Sequence, residues 1–170
     1  MATDYEKYYR DNRHGLGDPT KEFVVFFDTL KQECMEILDV GCGQGRDALF
    51  IARLGHSVTA IDQSPSGIRD LQMDAKTEGL AIKCEVVDVR QYVWQDTFDV
   101  IVIDRTLHML TVDERTTVLH DLLRATKSGL HILIADEKSN ISAFKKVFAE
   151  SAWDWKSTFE RRGFLFVQRG

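Results

Sequence analysis

From Ile37 onward, short apolar runs alternate with stretches whose apolar residues recur every three or four positions. Runs of about five apolar residues bounded by turn formers read as strands, and the longer 3.6-residue periodicity reads as helix. "EILDV" predicts a first strand, and "RDALFIARL" a helix closed by Gly55 just past its C-terminus. "SVTAID" predicts a second strand. Ser64 then caps a helix with Pro65 at its first position, with Ile68, Leu71 and Ala75 on the inner face and Gly79 as the stop. "AIKCEVVDV" is a third strand, and "FDVIVID" a fourth, apolar throughout as in a strand covered on both faces. Thr111 and Glu114 have capping-box spacing ahead of a helix carrying Val118, Leu119, Leu122 and Leu123. "HILIADE" predicts a fifth strand. The helix "ISAFKKVFAES" follows, with Phe144, Val147 and Phe148 as core. The chain ends in an antiparallel pair, "DWKSTFE" and "FLFVQR", with Trp153 and Trp155 alternating on its first strand.

Two helices precede this series. "DYEKYYR" is the first. In the second, Asp18 is the expected cap and Pro19 the first helical residue, with Phe23, Phe26, Phe27 and Leu30 on one face. The pattern predicts one α/β domain, with residues 1–36 as a helical cap and 37–170 as the core. The core is a doubly wound, Rossmann-like, mostly parallel seven-stranded sheet with helices on both faces and a C-terminal antiparallel hairpin.

Composition narrows the function. With 170 residues, 44% of them hydrophobic, the chain can bury a core of its own. The net charge of -5 and the scattered lysines and arginines exclude a nucleic-acid footprint. No apolar run approaches a membrane span. The N-terminus mixes acids with bases, unlike a secretory or transit leader, so a cytoplasmic protein is expected. Cys34, Cys42 and Cys84 are odd in number and far apart, which fits free thiols and gives no metal site.

The candidate chemistry lies between Ile37 and Asp62. Gly41, Gly43 and Gly45 follow the first strand directly and a helix opens behind them, so a ligand can approach bare backbone there. Asp62 ends the second strand about 20 residues later, where an acid accepts both hydroxyls of a ribose. Together they predict an adenosine-containing ligand. The dinucleotide turn is G-x-G-x-x-G, but here its third glycine is Arg46, and Asp39 would repel a pyrophosphate. A cationic ligand suits Asp39 better. The pattern therefore favours S-adenosylmethionine over NAD.

The run "ILDVGCGQGRDALFIARLGHSVTAID" resembles motif I and the following acidic strand end of class I S-adenosylmethionine-dependent methyltransferases. The similarity extends through "VVDV" and "FDVIVIDRTLHML", and is greatest to the small tellurite-resistance and thiopurine-type branch. Members of that branch methylate small thiols, chalcogen oxyanions or drugs. The resemblance implies that Asp39 and the backbone of Gly41, Cys42 and Gly43 surround the methionine end of the cofactor. It implies that Asp62 binds the ribose, Gln63 lies against the adenine, and Asp88 and the Val89 amide meet the adenine edge. The Arg105 backbone would reach the methionine ammonium, and Tyr5, Tyr9 or Arg13 would cover the carboxylate.

For the acceptor, the sequence offers His108 in "DRTLHML". It is either a general base or a histidine packing beside the cofactor. Thiolates and oxyanions need no base. The matching run of amino-group nucleic-acid methyltransferases resembles D-P-P-Y, which "IDRTL" does not. Relatives often carry an insertion after the fifth strand, where "ADEKSN" leads almost directly into a helix. The acceptor side is therefore expected to be open unless the N-terminal helices, a second copy or a partner protein closes it. The expected function is methyl transfer to a small-molecule acceptor, thiol or chalcogen oxyanion preferred. The rival reading is a cofactor-binding regulatory or partner module with little catalysis of its own.

Overall fold

The computed structural model describes residues 4–30 and 34–170. Positions 1–3 and 31–33 of the predicted helical cap lie outside the described residues. The chain divides into two units, residues 1–89 and 90–170.

In the first unit, helices α1 (Tyr5–Asp11) and α2 (Lys21–Thr29) precede β1 (Glu36–Val40), α3 (Arg46–Arg53), β2 (Ser57–Asp62), α4 (Pro65–Glu78) and β3 (Ile82–Val86). The three strands are parallel in the order β3-β2-β1. β1 is buried from Ile37 to Val40. Ser64 caps α4 by accepting the Gly67 amide, and Gly79 ends it in the left-handed conformation. Ile68, Leu71 and Ala75 face inward as the periodicity predicted.

The second helix begins later than its sequence suggests. Thr20, not Asp18, occupies the N-cap of α2 and makes no side-chain cap bond. Its amide donates to Asp47 Oδ1 at 3.0 Å and its hydroxyl accepts from Arg46, so the segment is held by α3 before the helix can start. Phe23 and Phe27 are buried, while Phe26 is half-buried and packs edge-on against Phe27.

The second unit holds β4 (Val100–Asp104), α5 (Val112–Arg124), β5 (His131–Ala135), α6 (Lys138–Glu150), β6 (Trp155–Arg161) and β7 (Phe164–Arg169). Its strand order is β4-β5-β7-β6. β4 and β5 are parallel, whereas β7 runs antiparallel to both β5 and β6. The capping box forms as expected: the Thr111 hydroxyl accepts the Glu114 amide, and the Glu114 carboxylate accepts the Thr111 amide at 2.9 Å. With the first unit, this makes seven strands, mostly parallel, ending in the expected antiparallel hairpin.

Several boundaries differ from the sequence reading. β3 stops at Val86, so Asp88 lies two residues beyond the strand. β5 stops at Ala135, and α6 starts at Lys138 rather than Ile141, because Asp136 bonds to the Glu137 amide and the Asn140 side chain. Trp153 is not on the strand. It lies in the bend before β6, 45% exposed, with the Arg169 guanidinium stacked 3.8 Å from its ring. Among the described residues, no helix is long and apolar enough to cross a membrane.

Candidate functional site

The turn after β1 is possible only with glycine. Gly41, Gly43 and Gly45 have φ values of 73°, 54° and 85°, where a Cβ is strongly disfavoured. The Gly41 and Cys42 amides both donate to the Ile61 carbonyl, at 2.8 and 3.0 Å, tying the turn to the end of β2. One residue further, Asp62 takes over. Its Oδ2 accepts the Gly43 amide at 2.9 Å and its Oδ1 the Ser64 amide at 2.7 Å. Asp62 thus joins the glycine turn to the start of α4.

A carboxylate oxygen has two acceptor positions. Each Asp62 oxygen keeps one beyond its backbone amide, so the pair can still receive a vicinal diol. Burial pushes the Asp62 carboxyl above the usual carboxylate range, against the two amides that lower it. Asp39 is buried just ahead of the turn. Cys42 is buried too, and its thiol is pushed well up by burial and by the carboxylates of Asp39 and Asp62, so it is no nucleophile at neutral pH. Gln63 is exposed beside Asp62. The Val87 amide donates to the Asp62 carbonyl at 2.9 Å, which brings the half-buried Asp88 and Val89 to the same strand ends. The residues of this unit fit the adenosyl part of S-adenosylmethionine: an acid with spare acceptor capacity beside a turn of bare backbone.

Helix α1 reaches this turn. Tyr9 is 5% exposed, and its hydroxyl lies where a Cβ on Gly43 would stand. Burial and the Asp62 carboxylate push the Tyr9 phenol upward, so it remains a donor over the working pH range. Tyr5 packs on Tyr9 with ring centroids 5.6 Å apart. Arg13 goes elsewhere. It pairs with Asp74 of α4 at 2.6 Å.

Several residues that hold α1 in place carry no recognisable sequence signal. Glu6 accepts from the Ser64 and Ser66 hydroxyls and from the Ser66 amide, which lowers its carboxyl to about 2. Gln44, buried within the glycine turn, donates to the Asn12 carbonyl at 2.8 Å and to Asp70 Oδ2 at 2.9 Å. Arg46, the residue that breaks the dinucleotide pattern, bonds to Asp47, to the Leu16 carbonyl and to the Thr20 hydroxyl. Its guanidinium therefore braces the N-terminal segment. Gly67 could have been suspected, because a glycine inside a predicted helix usually has a packing reason. A Cβ there would stand 2.8 Å from the Gly43 carbonyl oxygen.

Glu6→Ala should loosen α1 selectively. Amide hydrogen exchange over residues 5–12 should quicken, with β1 and β2 unchanged. Unchanged exchange across α1 would show that Tyr9 and Gln44 hold it unaided.

In the second unit, Arg105 follows β4 with φ 49°, a left-handed conformation rare outside glycine. Its amide donates to the Ala135 carbonyl at 2.7 Å. A 3-10 turn at Leu107–Met109 then presents His108, with Leu107 buried as its anchor. The His108 amide donates to Asp136 Oδ2 at 3.0 Å. His108 is half-buried, and its Nδ1 is buried without a hydrogen-bond partner among the described residues. His56 and His131 pack at element ends, where burial lowers both imidazoles.

Residues 37–129, which include the whole glycine turn and run from β1 through α5, match the model of the methyltransferase domain. The chain belongs to that family. A 2-heptyl-1-hydroxyquinolin-4(1H)-one methyltransferase of Mycobacteroides abscessus is 27% identical over 70% of this chain and 53% of its own length. The probable S-adenosyl-L-methionine-dependent methyltransferase TehB of Haemophilus influenzae is 29% identical over 58% of this chain and 35% of its own. The ubiquinone biosynthesis O-methyltransferase of Maricaulis maris is 30% identical over 71% and 48%. The chain thus spans about half the length, or less, of these curated relatives. Among solved structures, a TehB-like methyltransferase from Corynebacterium glutamicum covers 97% of this chain and is itself covered to 94%, with a TM-score of 0.70 and 22% identity. A structure from work on disulfide-to-thioacetal conversion in echinomycin biosynthesis covers 97% and is covered to 89%, with a TM-score of 0.74 and 24% identity. Those likenesses establish the Rossmann-like methyltransferase fold.

Proposed function

We propose that this member of the methyltransferase domain family transfers a methyl group from S-adenosylmethionine to a small-molecule acceptor, with thiols and chalcogen oxyanions preferred. The observation that carries the reading is Asp62, an acid fixed by two backbone amides at the glycine turn with acceptor capacity left on both oxygens. Asp62 would bind the ribose hydroxyls. Gln63, Asp88 and the Val89 amide would surround the adenine, while Asp39, Gly41, Cys42 and Gly43 would take the methionine end. Tyr9, already seated at Gly43, would cover it. Arg13 is left out of this set because Asp74 holds its guanidinium.

When bound, the cofactor supplies a methyl group already activated by its sulfonium. The protein's task is then to hold a nucleophile close, aligned and dry. The acceptor preference rests on the resemblance of the glycine-turn sequence to the tellurite-resistance and thiopurine-type branch. The hydroxyquinolone methyltransferase and the ubiquinone biosynthesis O-methyltransferase among the relatives make hydroxyl groups the natural comparison acceptors. A second copy or a partner protein could close the acceptor side.

The test is turnover with S-adenosylmethionine across aryl thiols, alkyl thiols, selenite, tellurite and a hydroxyquinolone, reading S-adenosylhomocysteine formed. Methylation of a thiol or chalcogen acceptor is the expected result. Cofactor binding with no turnover on any acceptor would replace this reading with the regulatory module.

A further inference from the structure

β3 is the outer strand of the first unit, and among the described residues it pairs with β2 alone. Along a strand, the backbone groups of successive residues point to opposite sides. The register sets Val86 opposite Asp62, and the Val87 amide donates to the Asp62 carbonyl at 2.9 Å. Lys83, Glu85 and Val87 therefore turn their backbone groups toward β2, while Ile82, Cys84 and Val86 turn theirs away from it. The Ile82 carbonyl meets only the Cys84 thiol, a weak donor at 3.8 Å. Such a row is a template for a further strand. Lys83, Glu85 and Val86 are exposed, Val86 to 51%.

The strand that fits this edge is a second copy of itself. Ile82-Lys83-Cys84-Glu85-Val86 carries opposite charges on either side of Cys84. With a two-fold axis at Cys84, each Cys84 faces the other, Lys83 faces Glu85 of the second copy, and Ile82 faces Val86 of the second copy. Outward residues then meet outward residues, so these apolar pairs and the central cysteines exchange N–H···O bonds. Lys83 and Glu85 fall at the alternate positions, where facing Cα atoms approach to about 4.5 Å and side chains are closest. Neither has an ion-pair partner of its own among the described residues. A slip of one residue would set an outward residue against an inward one. In-register parallel pairing would set Lys83 against Lys83 and Glu85 against Glu85.

We propose that the β3 edge is a homodimer interface, with two copies joined antiparallel about Cys84. The pairing does not depend on the methyltransferase chemistry. The outer strand of the second unit is guarded by contrast. β6 shifts register between Ser157 and Phe159, and its Glu160 is held by Lys145 at 2.9 Å. β3 runs in unbroken register from Ile82 to Val86.

Sedimentation of the full 170-residue chain, from micromolar to millimolar concentration in low-salt buffer, tests the pairing. The mass should rise toward twice that of one chain, with a Kd no tighter than micromolar for so short an edge. Lys83→Glu sets like charges against each other twice in every dimer and should raise Kd about tenfold or more, as should Glu85→Lys. Both positions are exposed, so the reversals leave the fold intact. Mixing the two variants restores both opposite-charge pairs, and the mixture should form a heterodimer at concentrations where neither variant dimerises alone. Amide exchange locates the contact: the Ile82, Cys84 and Val86 amides should gain protection as concentration rises, while those of Lys83 and Glu85, which face β2, change little. A chain that stays monomeric at millimolar concentration overturns the proposal. So does a dimer indifferent to both charge reversals, or one that protects another surface.

Discussion

Asp62→Ala should abolish the thermal stabilisation that saturating S-adenosylhomocysteine gives the parent protein. Ligand at about 100 times its dissociation constant contributes about 2.7 kcal/mol. At this chain length, that raises Tm by roughly 5 to 10 °C. The alanine variant should show a shift near zero under the same conditions, because both ribose acceptors are gone. Its ligand-free Tm should fall too, since the Gly43 and Ser64 amides lose their partner. An unpaired buried donor costs about 1–3 kcal/mol. The quantity to compare is therefore the ligand-induced shift within each protein. A full shift in Asp62→Ala would place the adenosyl site elsewhere.

Gly67→Ala should destabilise the protein, reversing the usual sign for a helix. Alanine inside a helix normally gains about 1 kcal/mol over glycine. At position 67 the added Cβ would stand 2.8 Å from the Gly43 carbonyl oxygen and 3.1 Å from Tyr9 Cδ2. The first of these is backbone, in a turn that cannot move without breaking the bond from the Gly43 amide to Asp62. Overpacking of this kind costs about 1–3 kcal/mol, a loss of several degrees in Tm. Cofactor affinity should fall with it, because the displaced atoms belong to the turn itself. A rise in Tm would show that α4 can shift away from the turn at little cost.

Much of the core was legible because its signals are local. Ser64, Pro65 and Gly79 mark the ends of α4, and the Thr111–Glu114 box marks the start of α5, through bonds spanning a few residues. Alternation of apolar runs was enough to distinguish parallel strands from the final hairpin. Asp62 stood out as a candidate ribose acceptor from its distance to the glycines. Its second role, holding the Gly43 and Ser64 amides, did not, because a side chain's backbone partners leave no mark in the pattern. The start of α2 failed for a related reason. Asp18 and Pro19 obey the local capping rule, but Asp47 and Arg46 reach Thr20 from another helix and set the boundary there. Glu6, Gln44 and Asp136 were missed because their partners lie far away in sequence or on main-chain atoms.

The bonds from Glu6 to Ser64 and Ser66 span 58 and 60 residues. The first helix to be synthesised therefore cannot complete its docking until α4, the sixth element of the chain, exists. During translation α1 must wait, short and unsupported, while β1, α3 and β2 assemble without it. Helices this short are marginal alone in water. Docking of α1 thus reports on completion of the glycine turn. A chain that stalls before α4 would present the bare face of Gly43 to the cell.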